Sequence, residues 1–184
     1  MQRPISQRLI AFLRAINVGG HTVTMARLRA EFEGLGFTGV ETFIASGNVI
    51  FQTSARNAPP LARKIEAHLQ ATLGHHIDTF IRSCFDVVAV AAYPAFSPAR
   101  VEAAGALNVA FLAEPLDAKA CAQLDKLKTD IDDFHTHGRE LYWLCQKKQS
   151  ESTFSNAVFE KQLKVKATFR GINTVRKLAE KYPA

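Results

Sequence analysis

Apolar side chains fill every position from Leu9 to Ile16 except Arg14. A run that is apolar on both faces suits a central strand covered on at least one side. Asn17-Val18-Gly19-Gly20 breaks it. Thr24 then reads as an N-cap for a helix to about Leu35, with Met25, Leu28, Phe32 and Leu35 on the buried stripe and Arg27, Arg29, Glu31 and Glu33 facing out. Gly36 closes that helix. Val40–Ala45 and Asn48–Thr53 read as two strands of a hairpin turning at Ser46-Gly47. Pro59-Pro60 opens a second helix, where a missing N–H costs nothing, with Leu61, Ile65, Leu69 and Leu73 on its apolar face and Gly74 at its end. Ile77–Arg82 predicts a fourth strand. Ser83 and Asp86 have capping-box spacing for a short helix that buries Phe85, Val88 and Val90.

This order is strand, helix, strand, strand, helix, strand, the split β-α-β or ferredoxin-like arrangement, with one helix added. Residues 94–106 hold prolines and small residues and read as a join. The order then repeats. The repeat has strands at Leu107–Leu112, Asp130–Thr136, Arg139–Cys145 and Ala167–Arg170, and helices capped by Asp117, starting at Ser155 and capped by Asn173. The sequence therefore predicts an α+β fold of two ferredoxin-like β-α-β-β-α-β units, a duplication with antiparallel sheets and helices packed on them. The units are expected over residues 1–95 and 96–184, as two domains or one integrated globule.

Composition narrows the function classes. With 47% hydrophobic and 22% charged residues the chain can bury a core and has no disordered bias. A net charge of +6 and a pI near 9.4 permit anionic partners, nucleic acid among them, without selecting one. The three cysteines, Cys84, Cys121 and Cys145, are far apart and contain no CxxC, which fits buried thiols in a reducing cytoplasm. No apolar run has the ~20 residues of a membrane helix, and Arg14 argues against reading the first strand as a leader.

If the first and third strands pair antiparallel at the sheet centre, the glycine exit of the first meets the start of the third. Arg14, Asn17, Gly19, Gly20, Ser46 and Asn48 then share one edge with the N-terminus of the first helix. That set is the candidate site for a small anionic or amide-bearing ligand, because helix N-termini attract anions and glycines admit a close backbone approach. Ordinary turn chemistry accounts for the same residue types. The glycine pair is not GxGxxG, and no Walker lysine follows it. The matching edge of the second half carries Glu114-Pro115, His137-Gly138-Arg139 and Glu140, with Arg139 and Glu140 read as a solvated ion pair. Arg170 and Asn173 lie at the last strand-to-helix junction.

No catalytic residue, cofactor or metal is assigned. Asp133, His135 and His137 alternate and would share one strand face, a spacing that suits a divalent ion; a polar, solvent-facing edge strand is the plainer reading. No GxSxG or HExxH occurs. Phe12 and Phe51 sit where RNA-recognition modules stack bases, but core packing is the favoured reading for both, so nucleic acid is permitted rather than favoured. A protein–protein adaptor is the third alternative.

The phrases FLRAINVGG (12–20), VTMARLR (23–29) and ETFIASGNVIF (41–51) resemble a bacterial family of uncharacterised proteins, domain of unknown function 1697. GRELYWL (138–144), NAVFEKQLKVKATFR (156–170) and NTVRKLAEKY (173–182) resemble its later blocks. The resemblance implies the duplicated ferredoxin-like architecture and no established activity. Three departures stand out. Ala15 replaces a usual glycine, Ser150-Glu151-Ser152-Thr153 stands where a Gly-Arg-Ser-Lys-like stretch is usual, and Gly171-Ile172 replaces an Asn-Trp pair.

Overall fold

The computed structural model describes residues 6–17, 20, 22–44 and 47–184. The chain divides into two compact units, one of residues 1–87 together with 182–184 and one of residues 88–181. The first contains β1 (Gln7–Leu13), α1 (Met25–Gly34), β2 (Thr38–Thr42), β3 (Asn48–Thr53), α2 (Ala58–Leu73) and β4 (Thr79–Ser83). Helix α3 (Cys84–Ala92) follows at once, and α4 (Pro98–Ala103) occupies part of the expected join. The second unit continues with β5 (Ala106–Leu112), α5 (Ala118–Asp125), β6 (Asp132–His137), β7 (Glu140–Cys145), α6 (Asn156–Leu163), β8 (Ala167–Gly171) and α7 (Ile172–Lys181).

Each unit has a four-stranded antiparallel sheet, ordered β2-β3-β1-β4 and β6-β7-β5-β8. This is the ferredoxin-like order, duplicated. The registers coincide as well as the orders. Leu9 lies opposite Phe51 and Ser83, and Asn108 lies opposite Trp143 and Gly171. Position 9 therefore corresponds to 108, 51 to 143 and 83 to 171.

One face of the first sheet, with Leu9, Ala11, Leu13, Val49, Phe51 and Ile81, packs on Leu28 and Phe32 of α1 and Leu61, Ile65 and Leu69 of α2. Phe32, Phe37 and Phe51 form an aromatic cluster with ring centroids 4.6–6.0 Å apart. In the second unit Ala110, Leu112, Leu141, Trp143 and Cys145 pack on Leu124, Phe159 and Leu163. Asp132 anchors that core. It is buried, accepts from Trp143 Nε1 at 2.8 Å and from Thr129 Oγ1 at 3.0 Å, and takes both of its bonds to Ser152 Oγ within 2.9 Å.

The helix ends follow local chemistry. Thr24 accepts from Arg27 N–H at 3.1 Å, and Asp117 from Ala120 N–H at 2.7 Å. Ser83 and Asp86 make the reciprocal capping box, each bond 3.0 Å.

Several expectations are corrected by tertiary context. The first strand ends at Leu13, not Ile16, because Ala15 turns to φ +56°. Glu31 is buried rather than outward, bonded to His68 at 2.8 Å and paired with Arg27. Its burial alone would raise the carboxyl pKa, but Thr72, Arg27 and His68 together lower it. Helix α3 buries Cys84, Val87 and, as expected, Val90, and leaves Phe85 70% exposed. Asn173 lies in the first turn of α7, which starts directly from β8, so it is not the cap.

The duplication also isolates a cost. Where the first unit has the buried apolar Leu9, the second has Asn108, whose buried Nδ2 has no hydrogen-bond partner among the described residues. Gly171 opposite it contributes no side chain to satisfy the amide. An orphaned buried donor costs about 1–3 kcal/mol. Asn108→Leu, which copies the equivalent position of the first unit, is expected to raise unfolding stability by about 1–2 kcal/mol. Urea denaturation measures this, and a loss of stability would refute the assignment.

Candidate functional site

The predicted edge forms where β1 leaves its sheet. Leu13 N–H donates to Gly47 O at 2.8 Å, so the exit of β1 lies beside the hairpin, and Arg14 N–H donates to Asp78 O at 2.9 Å. Gly47 has φ +76°, and a Cβ there would come within 3.1 Å of Ile16 and 3.2 Å of Leu13. Only glycine fits both the angle and the space.

The candidate side chains divide into three groups. Arg14 is half-buried, with Nη1 3.3 Å from Asp78 Oδ2, and His76 Nε2 is 3.0 Å from the other oxygen of that carboxylate. Asn17 is exposed, and its Oδ1 accepts from Val23 N–H at 2.7 Å, closing the loop that leads into α1. Gly20 is exposed at φ +85°. Asn48, by contrast, is 0% exposed and donates from Nδ2 to Phe43 O at 2.9 Å, while Phe43 N–H donates back to Asn48 O at 3.0 Å. It holds the hairpin from beneath and presents nothing to solvent. Gly19 and Ser46 lie outside the described residues.

Two residues near this edge, one of them Ala15, have a backbone conformation unusual for their type. Ala15 and Ile44 have φ of +56° and +59°. For non-glycine residues this left-handed conformation costs about 1–2 kcal/mol, and a β-branched residue there is a rare outlier. Ile44 is in addition 50% exposed. The usual glycine at position 15 was the one signal of this backbone demand visible in the sequence.

The corresponding edge of the second unit is built differently. In the first unit Ile16, Val23 and Ile77, from the long β1–α1 connection and the α2–β4 loop, are buried in the core. The β5–α5 connection, residues 113–117, is short, and its Leu116 and Val165 of the α6–β8 loop pack against the core but stay only partly buried. A cavity of about 640 Å³ remains there, lined among others by Glu114, Leu116, Lys119, Leu163, Lys164 and Lys166. Of the other second-half candidates, Arg139 helps form the hairpin by accepting from Leu112 N–H at 3.0 Å through its carbonyl. Its neighbour Glu140 is buried rather than solvated as expected. Arg170 is buried, donates to Thr168 Oγ1 at 2.7 Å and Phe169 O at 2.8 Å, and burial pulls its pKa down to about 10. Arg82, at the corresponding position in the first sheet, is buried too and donates to Ile81 O at 2.9 Å.

Asp133, His135 and His137 lie along β6, but their face is not an open polar one. Tyr93 stacks on His137 with ring centroids 3.9 Å apart and contacts His135 Nε2 through its hydroxyl at 2.9 Å. Asp133 binds Arg100 at 2.8 Å and Lys128 at 3.4 Å. Burial raises its pKa, and these cations with the Phe134 N–H more than reverse that, leaving it lowered. Among the described residues no group of His, Cys, Asp or Glu side chains is arranged to hold a metal ion. Nor is any described helix long and apolar enough to cross a membrane.

A duplicated ferredoxin-like α+β protein with a strained glycine edge is the class these features define. The chain belongs to the family described as "Protein of unknown function (DUF1697)", which it matches over residues 6–142. Its fold is similar to that of the conserved bacterial protein SP0830 from Streptococcus pneumoniae, with a TM-score of 0.71 and 24% sequence identity over 96% of this chain and 98% of that one. No functionally curated protein matches the sequence.

If position 15 demands a left-handed backbone, glycine is its unstrained occupant. Ala15→Gly is expected to raise stability by about 0.5–1 kcal/mol, the relieved strain being partly offset by the greater chain entropy of glycine. Thermal unfolding of the two proteins side by side tests it, and a lowered midpoint would contradict the strain.

Proposed function

We propose that the protein is a cytoplasmic small-molecule-binding protein whose site is the edge where β1 leaves its sheet, taking an anionic or amide-bearing ligand. The observation that carries this reading is that two left-handed non-glycine residues, Ala15 after β1 and Ile44 before the hairpin turn, lie beside the paired exit of β1 and start of β3. Backbone strain of this kind persists where surrounding structure enforces it, and it clusters at ligand clamps and active sites.

The surrounding chemistry supports the same class. Arg14 supplies a cation set in place by Asp78. Asn17 uses its carbonyl oxygen to close the loop, which leaves its amide nitrogen as a donor at an exposed position. Gly20 admits a close approach, and half-exposed Ile44 offers an apolar contact. Gly19 and Ser46 join this proposed set by their place in the chain, and Asn48 supports it from below. Base stacking on the central strands finds no support, since Phe12 and Phe51 are both fully buried.

Thermal-shift measurements with inorganic phosphate, citrate, acetate and adenosine monophosphate test the reading. At least one probe is expected to raise the unfolding midpoint of the wild-type protein and to lose that effect in Arg14→Ala and Asn17→Ala. Saturation to about a hundred times Kd would add roughly 2.7 kcal/mol. The proposal fails if no probe shifts the midpoint at millimolar concentration, or if both variants respond as the wild type does.

A further inference from the structure

The groove at the β5 exit is walled by Leu116, Leu163 and by Val165 of the α6–β8 loop, with Lys119, Lys164 and Lys166 at its rim. Two of these lysines stand where local physics disfavours them. Lys119 occupies the second position of α5, near the positive end of the helix dipole, where an acidic residue is preferred and none is present in the first turn. Lys164 caps α6 in the left-handed conformation, φ +59°, with its N–H on Glu160 O. The corresponding cap of α2 in the first unit makes the same bond from Gly74, the residue that fits this geometry without strain. Each choice forgoes stability. Both place an ammonium on the same groove. Positions where local rules fail together are where function is to be sought.

The rim also carries acids, and their roles differ. Asp117 spends its carboxylate on the Ala120 N–H at 2.7 Å. Glu160, just outside the lining, accepts from Ala167 N–H at 3.3 Å and lies 3.7 Å from Lys166. Glu114 lines the mouth. The lysines at 119 and 164 have no ion-pair partner within 4 Å among the described residues, and the groove floor is apolar.

We infer that this groove is a second binding site, for an amphipathic organic anion: an apolar body seated on Leu116, Leu163 and Val165, with its carboxylate, sulfonate or phosphate group between Lys119 and Lys164. The site is independent of the β1 edge, since all of its residues lie in the second unit.

The test uses the full chain and two fluorescent probes with the same aromatic body, 8-anilinonaphthalene-1-sulfonate and the uncharged N-phenyl-1-naphthylamine. The sulfonate is expected to perturb backbone amide resonances within residues 113–123 and 162–166. It should bind at least about tenfold more tightly than the neutral analogue, a difference of about 1.4 kcal/mol. Lys119→Glu combined with Lys164→Glu should reverse that preference. Lys164→Gly guards against a folding artefact: it should raise the unfolding midpoint and weaken sulfonate binding together, which a merely structural lysine would not do. Equal affinity for the two probes, resonance changes elsewhere, or a stabilised Lys164→Gly with unaltered sulfonate affinity would each overturn the proposal.

Discussion

The antiparallel pairing of first and third strands at the centre of each sheet is the constraint on which the other features depend. Because side chains alternate along a strand, fixing Leu9 opposite Phe51 also fixes which residues meet the helices and which turn away. It brings the exit of β1 against the start of β3 and forces Gly47 into contact with Leu13 and Ile16. The same register in the second unit sets Asn108 opposite Trp143. A slip by one residue in either sheet would turn the whole apolar set away from its helices, so the hairpins have little freedom to vary. What the chain can vary is the length and content of the connections at the strand ends, and that is where the two units differ.

Much of this was legible along the chain. Element order came from the hydrophobic periods, and the caps came from single residues whose chemistry is local: Thr24, Asp117, and the Ser83/Asp86 pair. The adjacency of the β1 exit to the hairpin was legible too, because topology alone dictates it. The fate of the individual side chains was not. Asn48 reads as a ligand-facing residue at the strand start but is withdrawn into the sheet to hold Phe43, and Glu31 reads as a surface acid but is buried beside Arg27 and His68. Both outcomes depend on groups that periodicity cannot bring together, such as a histidine of the next helix. The face of β6 was misjudged for the same reason: nothing near Asp133, His135 and His137 in sequence announces that Tyr93 will lie across the two histidines.

Comparing the two copies separates what the fold requires from what each unit has added. A buried arginine at the same register in both sheets, Arg82 and Arg170, donates to the carbonyl of the residue before it in each case. That recurrence marks it as part of the shared framework. The strand-exit edges do not recur. The first unit closes its edge with Ile16, Val23 and Ile77 and accepts strain at Ala15 and Ile44. The second keeps the connection short, leaves a cavity, and accepts strain at Lys164.

The three left-handed non-glycine residues among those described are therefore unevenly distributed in a telling way. Glycine occupies the left-handed position after Leu35, at Gly36, and at the end of α2, at Gly74, where the chain merely has to turn. Alanine, isoleucine and lysine occupy it only beside the two strand exits. If turning the chain were the sole demand, glycine would serve at all of these positions at lower cost. At Lys164 the left-handed position places a charged side chain on the groove lining. At Ile44 it holds an apolar side chain half out of the surface. On the two binding proposals, a ligand completes the contact at each position.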